Sequence, residues 1–117
     1  MEFEIEFYEK DGKEPVKDFI LLQDNKMQAK IFHNLELLEI YGNSLREPYS
    51  KHLDDGIFEI RNKVGSDITR VLYFFVIGQK IVLTNAFVKK TNKTPENEIQ
   101  LAKDRRKDYL RRKENTK

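Results

Sequence analysis

IFEIRNKVGSDITRVLYFFVIGQKIVLTNAFVKK, residues 57–90, decides how this chain folds. It holds three runs rich in β-branched and aromatic residues, interrupted at Val64-Gly65-Ser66-Asp67 and at Ile77-Gly78-Gln79. Such runs, broken at glycines, read as a three-stranded meander. A two-residue turn at Gly78-Gln79, with Gly78 in the positive-φ first position of a type II′ turn, sets Ile77 opposite Lys80. Counting back, Val76 meets Ile81, Phe74 meets Leu83, Leu72 meets Asn85 and Arg70 meets Phe87, all on one face because strand side chains alternate. A longer turn around Gly65 brings Arg61 beside Arg70, and Lys89 follows on the same face. Two arginines, an aromatic ring and a lysine thus converge at one end of the sheet beside an apolar floor, an arrangement suited to binding an anion.

Working outward, residues 2–8 alternate strictly, with Phe3, Ile5 and Phe7 on one side and Glu2, Glu4 and Glu6 on the other, as in a half-buried strand. The pattern leaves the partner and direction of this strand open. Asp11-Gly12 makes a turn and Pro15 suits the start of a short helix whose stripe is Val16, Phe19, Ile20 and Leu22. Asp24 or Asn25 caps a longer helix through Met27, Ile31, Leu35 and Leu38, ended by Gly42. Two successive helices between strands suggest a helical hairpin laid on one sheet face. Residues 44–56, SLREPYSKHLDDG, lack periodicity and read as a loop that brings Lys51 and His52 to the meander. After the meander, Thr94 is the expected N-cap and Pro95 the first residue of a last helix to about Leu110. Residues 111–117 are expected to fray. The order βααβββα describes an α+β fold with helices packed on a small sheet, in one domain spanning residues 1–117.

The composition sets further bounds. Charged residues make up 36% and apolar ones 38%, and there is no cysteine, so disulfides, thiolate metal sites and a cysteine nucleophile are excluded. The opening MEFEIEFYEK is not a signal peptide and no apolar run approaches a membrane span, so a cytoplasmic protein without membrane contact is expected. The net charge of +2 conceals an asymmetry: residues 1–50 carry 11 acids and 6 bases, residues 51–117 carry 9 acids and 16 bases. Segregated positive charge points to a polyanionic partner. Within the basic run of residues 105–113 the simpler expectation is that charges only solvate the last helix.

Familiar catalytic patterns are missing: no Gly-rich phosphate loop, no HExxH, no nucleophile elbow, and no metal or other cofactor is implied. What remains are Arg61, Arg70, Tyr73, Phe87, Lys89 and Lys90. Such residues can do more than bind if the substrate brings its own nucleophile. In RNA the 2′-hydroxyl can attack the adjacent phosphodiester, and arginine forks answer the charge that builds on the phosphate oxygens. A lysine or Tyr73 would move protons, and Phe87 would offer a face to a base. Strand parity puts Tyr73 with Val71 and Phe75 on the opposite face unless a bulge re-aims it. Lys90 shares that problem unless the chain leaves the sheet after Val88. The competing arrangement for the two arginines is a plain ion pair with Glu59 or Asp67.

Lys51-x-Leu53, Gly56-Ile57-Phe58-Glu59-Ile60-Arg61, Arg70-Val71-Leu72-Tyr73 and Phe87-x-Lys89-Lys90-Thr91-x-x-Thr94-Pro95, followed by Glu98 and Ala102, resemble the core signature of the RelE/HigB superfamily of type II toxins, in its phage-derived HigB-like branch. The likeness spans residues 51–102. It implies a RelE-like fold and a toxin that acts as a ribosome-dependent, metal-independent mRNA endoribonuclease in the A site. It implies as partners the ribosome, mRNA and a HigA-like helix-turn-helix antitoxin, with operator DNA bound only through the antitoxin complex. Carried over by position, Arg61, Arg70, Lys89, Lys90 and Tyr73 become the catalytic candidates, and Lys51, His52, Lys63, Phe87 and Lys93 the RNA-binding ones. The alternative is a non-catalytic RNA or ribosome binder, or an inactive toxin-fold interaction module.

Overall fold

The computed structural model describes residues 2–115. Its elements are β1 (Glu4–Phe7), α1 (Pro15–Leu21), α2 (Asn25–Tyr41), β2 (Ser50–Asp54), β3 (Ile57–Val64), β4 (Asp67–Val76), β5 (Lys80–Val88) and α3 (Glu96–Asn115), with a single 3-10 turn at Gly42–Ser44. The five strands form one sheet in the order β1-β5-β4-β3-β2. The α+β class stands, but the order is βααββββα. The added strand, β2, lies in the segment expected to be a loop and pairs antiparallel with β3. β1 pairs parallel with β5, from Glu4 opposite Lys80 to Phe7 opposite Leu83.

Helices cover both faces. Val16 and Ile20 of α1 and Met27, Ile31, Leu35 and Leu38 of α2 bury against Ile60, Val71, Tyr73, Ile81 and Leu83. This is the expected hairpin on one face. On the other, Ala102 and Tyr109 of α3 bury against Ile57, Leu72, Phe74 and Val82. The Asp24 carboxylate accepts from Met27 N at 2.9 Å and so caps α2, which stabilises its first turn by about 1 kcal/mol. Gly42 ends α2 at φ 53°, and a Cβ there would collide with the ring of Phe3.

Arg61 faces Arg70 across β3 and β4, and Arg70 faces Phe87 across β4 and β5. Nearer the β4–β5 turn the expected register is off by one residue. Val76, not Ile77, faces Lys80, so the turn has three residues, with Gly78 at φ 94° and Gln79 at φ 64°. Thr84 is then an extra residue between Tyr73 opposite Leu83 and Leu72 opposite Asn85. This bulge absorbs the shift, and it rotates the strand: Ile81 and Leu83 face the helical hairpin, whereas Phe87 faces α3. The tight two-residue turn is at Gly65-Ser66 instead, between Val64 and Asp67, with Gly65 at φ 62°.

The basic run at the end of the chain is neither frayed nor merely solvated over its described part. α3 continues to Asn115; residues 116–117 lie outside the described residues. Arg105 Nη1 donates to Thr84 O at 2.8 Å, and Arg112 Nη2 donates to Glu9 O at 2.7 Å. Both guanidinium groups lie against the ring of Tyr8, whose hydroxyl donates to Asp108 at 2.7 Å. Lys103 pairs with Asp54 and Arg106 with Asp55, which ties α3 to the β2–β3 turn. Much of the positive charge of α3 is thus answered within the fold. Among the described residues no helix is long and apolar enough to cross a membrane.

Candidate functional site

At the end of the sheet remote from the β4–β5 turn, the cross-strand pair places Arg61 and Arg70 side by side over one carboxylate. Glu59, two residues before Arg61 on the same strand face, is fully buried. Its Oε2 accepts from Arg61 Nε at 2.9 Å, and its Oε1 accepts from Arg70 Nη1 at 3.2 Å and from the Thr94 hydroxyl at 2.6 Å. Thr94 Oγ1 in turn accepts from Arg70 Nη1 at 2.8 Å. The ion-pair arrangement is therefore realised, with Glu59 as the shared partner. The expected Thr94 cap does not form: Pro95 O accepts from Glu98 N and Ile99 N, and the Thr94 hydroxyl is committed to the buried carboxylate.

The clasp does not close the site, because Arg61 and Arg70 also line two clefts. The first, about 560 Å³, is bounded by Lys30, Asn34, Pro48, Tyr49, Arg61, Lys63, Gly65, Ile68, Arg70 and Lys89. Five of these side chains are cationic and none is acidic, so the cleft is an anion site by charge. The second, about 340 Å³, mixes Lys51, Arg61, Arg70 and Lys93 with Asp54, Glu59 and Glu96. The arginines differ in freedom. Arg70 is 4% exposed and its Nε is buried without a hydrogen-bond partner. The Arg61 side chain is 27% exposed and also reaches Glu47, Nη1 to Oε1 at 3.3 Å.

Of the ten residues that the sequence singles out, Arg61, Arg70, Lys63 and Lys89 meet in the first cleft. Lys89 N still donates to Ile68 O at 2.9 Å, which keeps it at the edge of β4 one residue past β5. Lys51 and Lys93 border the second cleft. His52 lies outside both, its ring edge-on to Phe58 and its Nε2 accepting from Gly56 N at 3.1 Å. Lys90 is exposed and borders neither cleft. Phe87 packs against the core beneath α3 and so is not the aromatic surface of the site.

Tyr73 is corrected most clearly. It is 1% exposed on the face covered by α1 and α2, its ring stacks on Phe58, and its hydroxyl is 2.5 Å from Ser50 Oγ. Burial pushes the phenol up to about 12, against the smaller opposing effect of the Ser50 hydrogen bond. It is a core group and no proton carrier for the cleft. Since the unfolded phenol ionises near about 10, the unfolded chain loses its proton first as pH rises, and stability falls between about pH 10 and 12. Urea unfolding across this range is expected to show the stability difference between wild type and Tyr73→Phe shrinking as pH rises; a constant difference would contradict it.

Lys30, Asn34 and Tyr49 went unnoticed in the sequence. Lys30 and Asn34 sit one turn apart on α2, and Asn34 interrupts its apolar stripe as a fully buried polar residue, which is the signal that could have found them. Asn34 Nδ2 donates to Arg61 O at 3.1 Å and to Asn62 Oδ1 at 2.9 Å, so α2 is pinned to β3 at the cleft. Tyr49 stands just ahead of β2 and had no pattern to mark it.

Among curated proteins nothing matches the chain. The family described as phage derived protein Gp49-like (DUF891) matches residues 18–107, a span that contains α2, most of α1, the meander, the Glu59 clasp and all five cations of the first cleft. The chain belongs to this Gp49-like family of phage-derived proteins, a toxin-like family related to the RelE and HigB toxins.

Proposed function

We propose that the first cleft binds single-stranded RNA at a phosphate and that the protein is a type II toxin of the HigB-like branch, a metal-independent, ribosome-dependent mRNA endoribonuclease. The observation that carries this reading is the cleft lined by Lys30, Arg61, Lys63, Arg70 and Lys89 with no acidic residue in its lining. In the proposed reaction the 2′-oxygen bonds to phosphorus, the bond from phosphorus to the 5′-oxygen breaks, the 2′-proton passes to a base, and the 5′-oxygen takes up a proton. The products are a 2′,3′-cyclic phosphate and a 5′-hydroxyl. Charge accumulates on the non-bridging oxygens, where guanidinium and ammonium groups held by a sheet stabilise it. Besides the arginines, the titratable groups along the cleft are Lys30, Tyr49, Lys63 and Lys89, and the proton transfers fall to these. Work in the ribosomal A site, neutralisation by a HigA-like helix-turn-helix antitoxin, and operator binding through that complex alone complete the proposal.

A second reading, a non-catalytic RNA or ribosome binder, is favoured by two observations: no histidine borders the first cleft, and Tyr73 is buried in the core and outside the lining of that cleft. Inducible expression without any antitoxin gene, followed by primer extension on a translated message, separates the two. The nuclease reading expects growth arrest and new 5′ ends within codons, reproduced with purified ribosomes and absent without them. Ribosome binding with intact message would establish the second reading, and neither binding nor arrest would remove both.

A further inference from the structure

We infer that Tyr49 is the stacking surface for one unpaired base of the bound RNA, so that the cleft selects single strands over duplexes. This rests on the reading of the first cleft as an RNA site. Tyr49 is the one aromatic residue lining that cleft, and it is 40% exposed amid Lys30, Arg61, Lys63 and Lys89. Part of the residue is thus open to the cleft, among groups that attract a polyanion. The aromatic face takes a base while the surrounding charges take the backbone, the combination by which single strands are held.

The backbone around Tyr49 is fixed. Tyr49 N donates to Arg46 O at 3.0 Å, and Tyr49 O accepts from Arg61 N at 2.9 Å. The ring is therefore rooted directly beside the arginine proposed to hold the phosphate. A tyrosine has only two side-chain torsions to immobilise, so stacking on it costs little entropy. A space of about 560 Å³ accommodates a small ligand the size of a nucleotide. In an A-form duplex the base faces are occupied by their neighbours, and only a splayed-out base offers one to a protein. The ring, not the hydroxyl, carries this role, which distinguishes it from the proton transfers considered above.

The test uses the full chain, at low ionic strength, with a short single-stranded oligoribonucleotide containing 2-aminopurine, whose fluorescence falls on stacking. Wild type and Tyr49→Phe are expected to bind alike and quench the probe. Tyr49→Ala is expected to bind about 5- to 100-fold more weakly and to leave the fluorescence of the bound probe unquenched. Thermal unfolding of Tyr49→Ala, whose wild-type residue is 40% exposed, is expected to stay cooperative, which shows that the weaker binding is not lost folding. A duplex of the same sequence should compete poorly. If Tyr49→Ala binds and quenches as wild type does while Lys89→Glu abolishes binding, the stacking role is wrong and the RNA site stands. If Tyr49→Phe fails as badly as Tyr49→Ala, the hydroxyl is the working group and the inference is overturned. If wild type binds no RNA, the RNA site falls and the inference with it.

Discussion

Replacement of Glu59 by alanine is expected to lower the stability of the fold by about 3–5 kcal/mol, as measured by urea unfolding with the transition slope unchanged. Total stabilities of such domains are about 5–15 kcal/mol, so this loss is a large fraction of the whole. The cause is what remains. Arg70 is 4% exposed, and without Glu59 its guanidinium keeps only the Thr94 hydroxyl as a partner among the described residues. A buried cation with no counter-charge cannot recover its hydration. Glu59→Gln should cost less, because its amide oxygen still accepts from one arginine. The double variant Glu59→Ala with Arg70→Met should regain much of the loss, since it removes the stranded charge as well. A Glu59→Ala protein within about 1 kcal/mol of wild type would mean that the clasp is incidental to folding.

On the proposed nuclease reading, Arg61→Ala is expected to give the largest functional defect, a fall of about 100-fold or more in cleavage of a translated message. Arg61 lines both clefts and its side chain is partly open to solvent, unlike Arg70. The variant leaves Glu59 still paired with Arg70 and Thr94, so the fold should survive at a cost of about 1–2 kcal/mol. Arg61→Lys is the informative control: it keeps the charge and loses the fork, so partial activity would separate simple attraction from two-point contact with the phosphate oxygens. Full activity in Arg61→Ala would eliminate this arginine from the reaction.

How far the sequence could be read depended on what each strand faces. The pairings of Arg61 with Arg70 and of Arg70 with Phe87 were legible because Gly65 and Gly78 delimit the strands. The bulge at Thr84 was not. With helices on both faces, VLYFFV and IVL are apolar at nearly every position, so alternation carries no information about which residue points where. The extra residue in the turn and the extra residue in the strand cancel, which left the cationic end of the register correct while the turn end was shifted. β2 escaped notice for the opposite reason: SKHLD is an edge strand that is largely exposed, and it is held by hydrogen bonds to β3, not by an apolar face. Thr94 looked like a cap because the residue before a helical proline usually has that task. Only the buried carboxylate across the sheet reveals its other use.

The parallel seam between β1 and β5 has a consequence for how the molecule is made. β1 is synthesised before all four of the other strands, and its partner is the last strand of the meander. Phe3, Ile5 and Phe7 therefore have no sheet to join until β5 has been synthesised and the hairpin has turned over it. That seam joins the two strands farthest apart in sequence, and such non-local closure is expected to form slowly. Until it closes, the apolar side of β1 stays uncovered, the kind of surface that chaperones recognise.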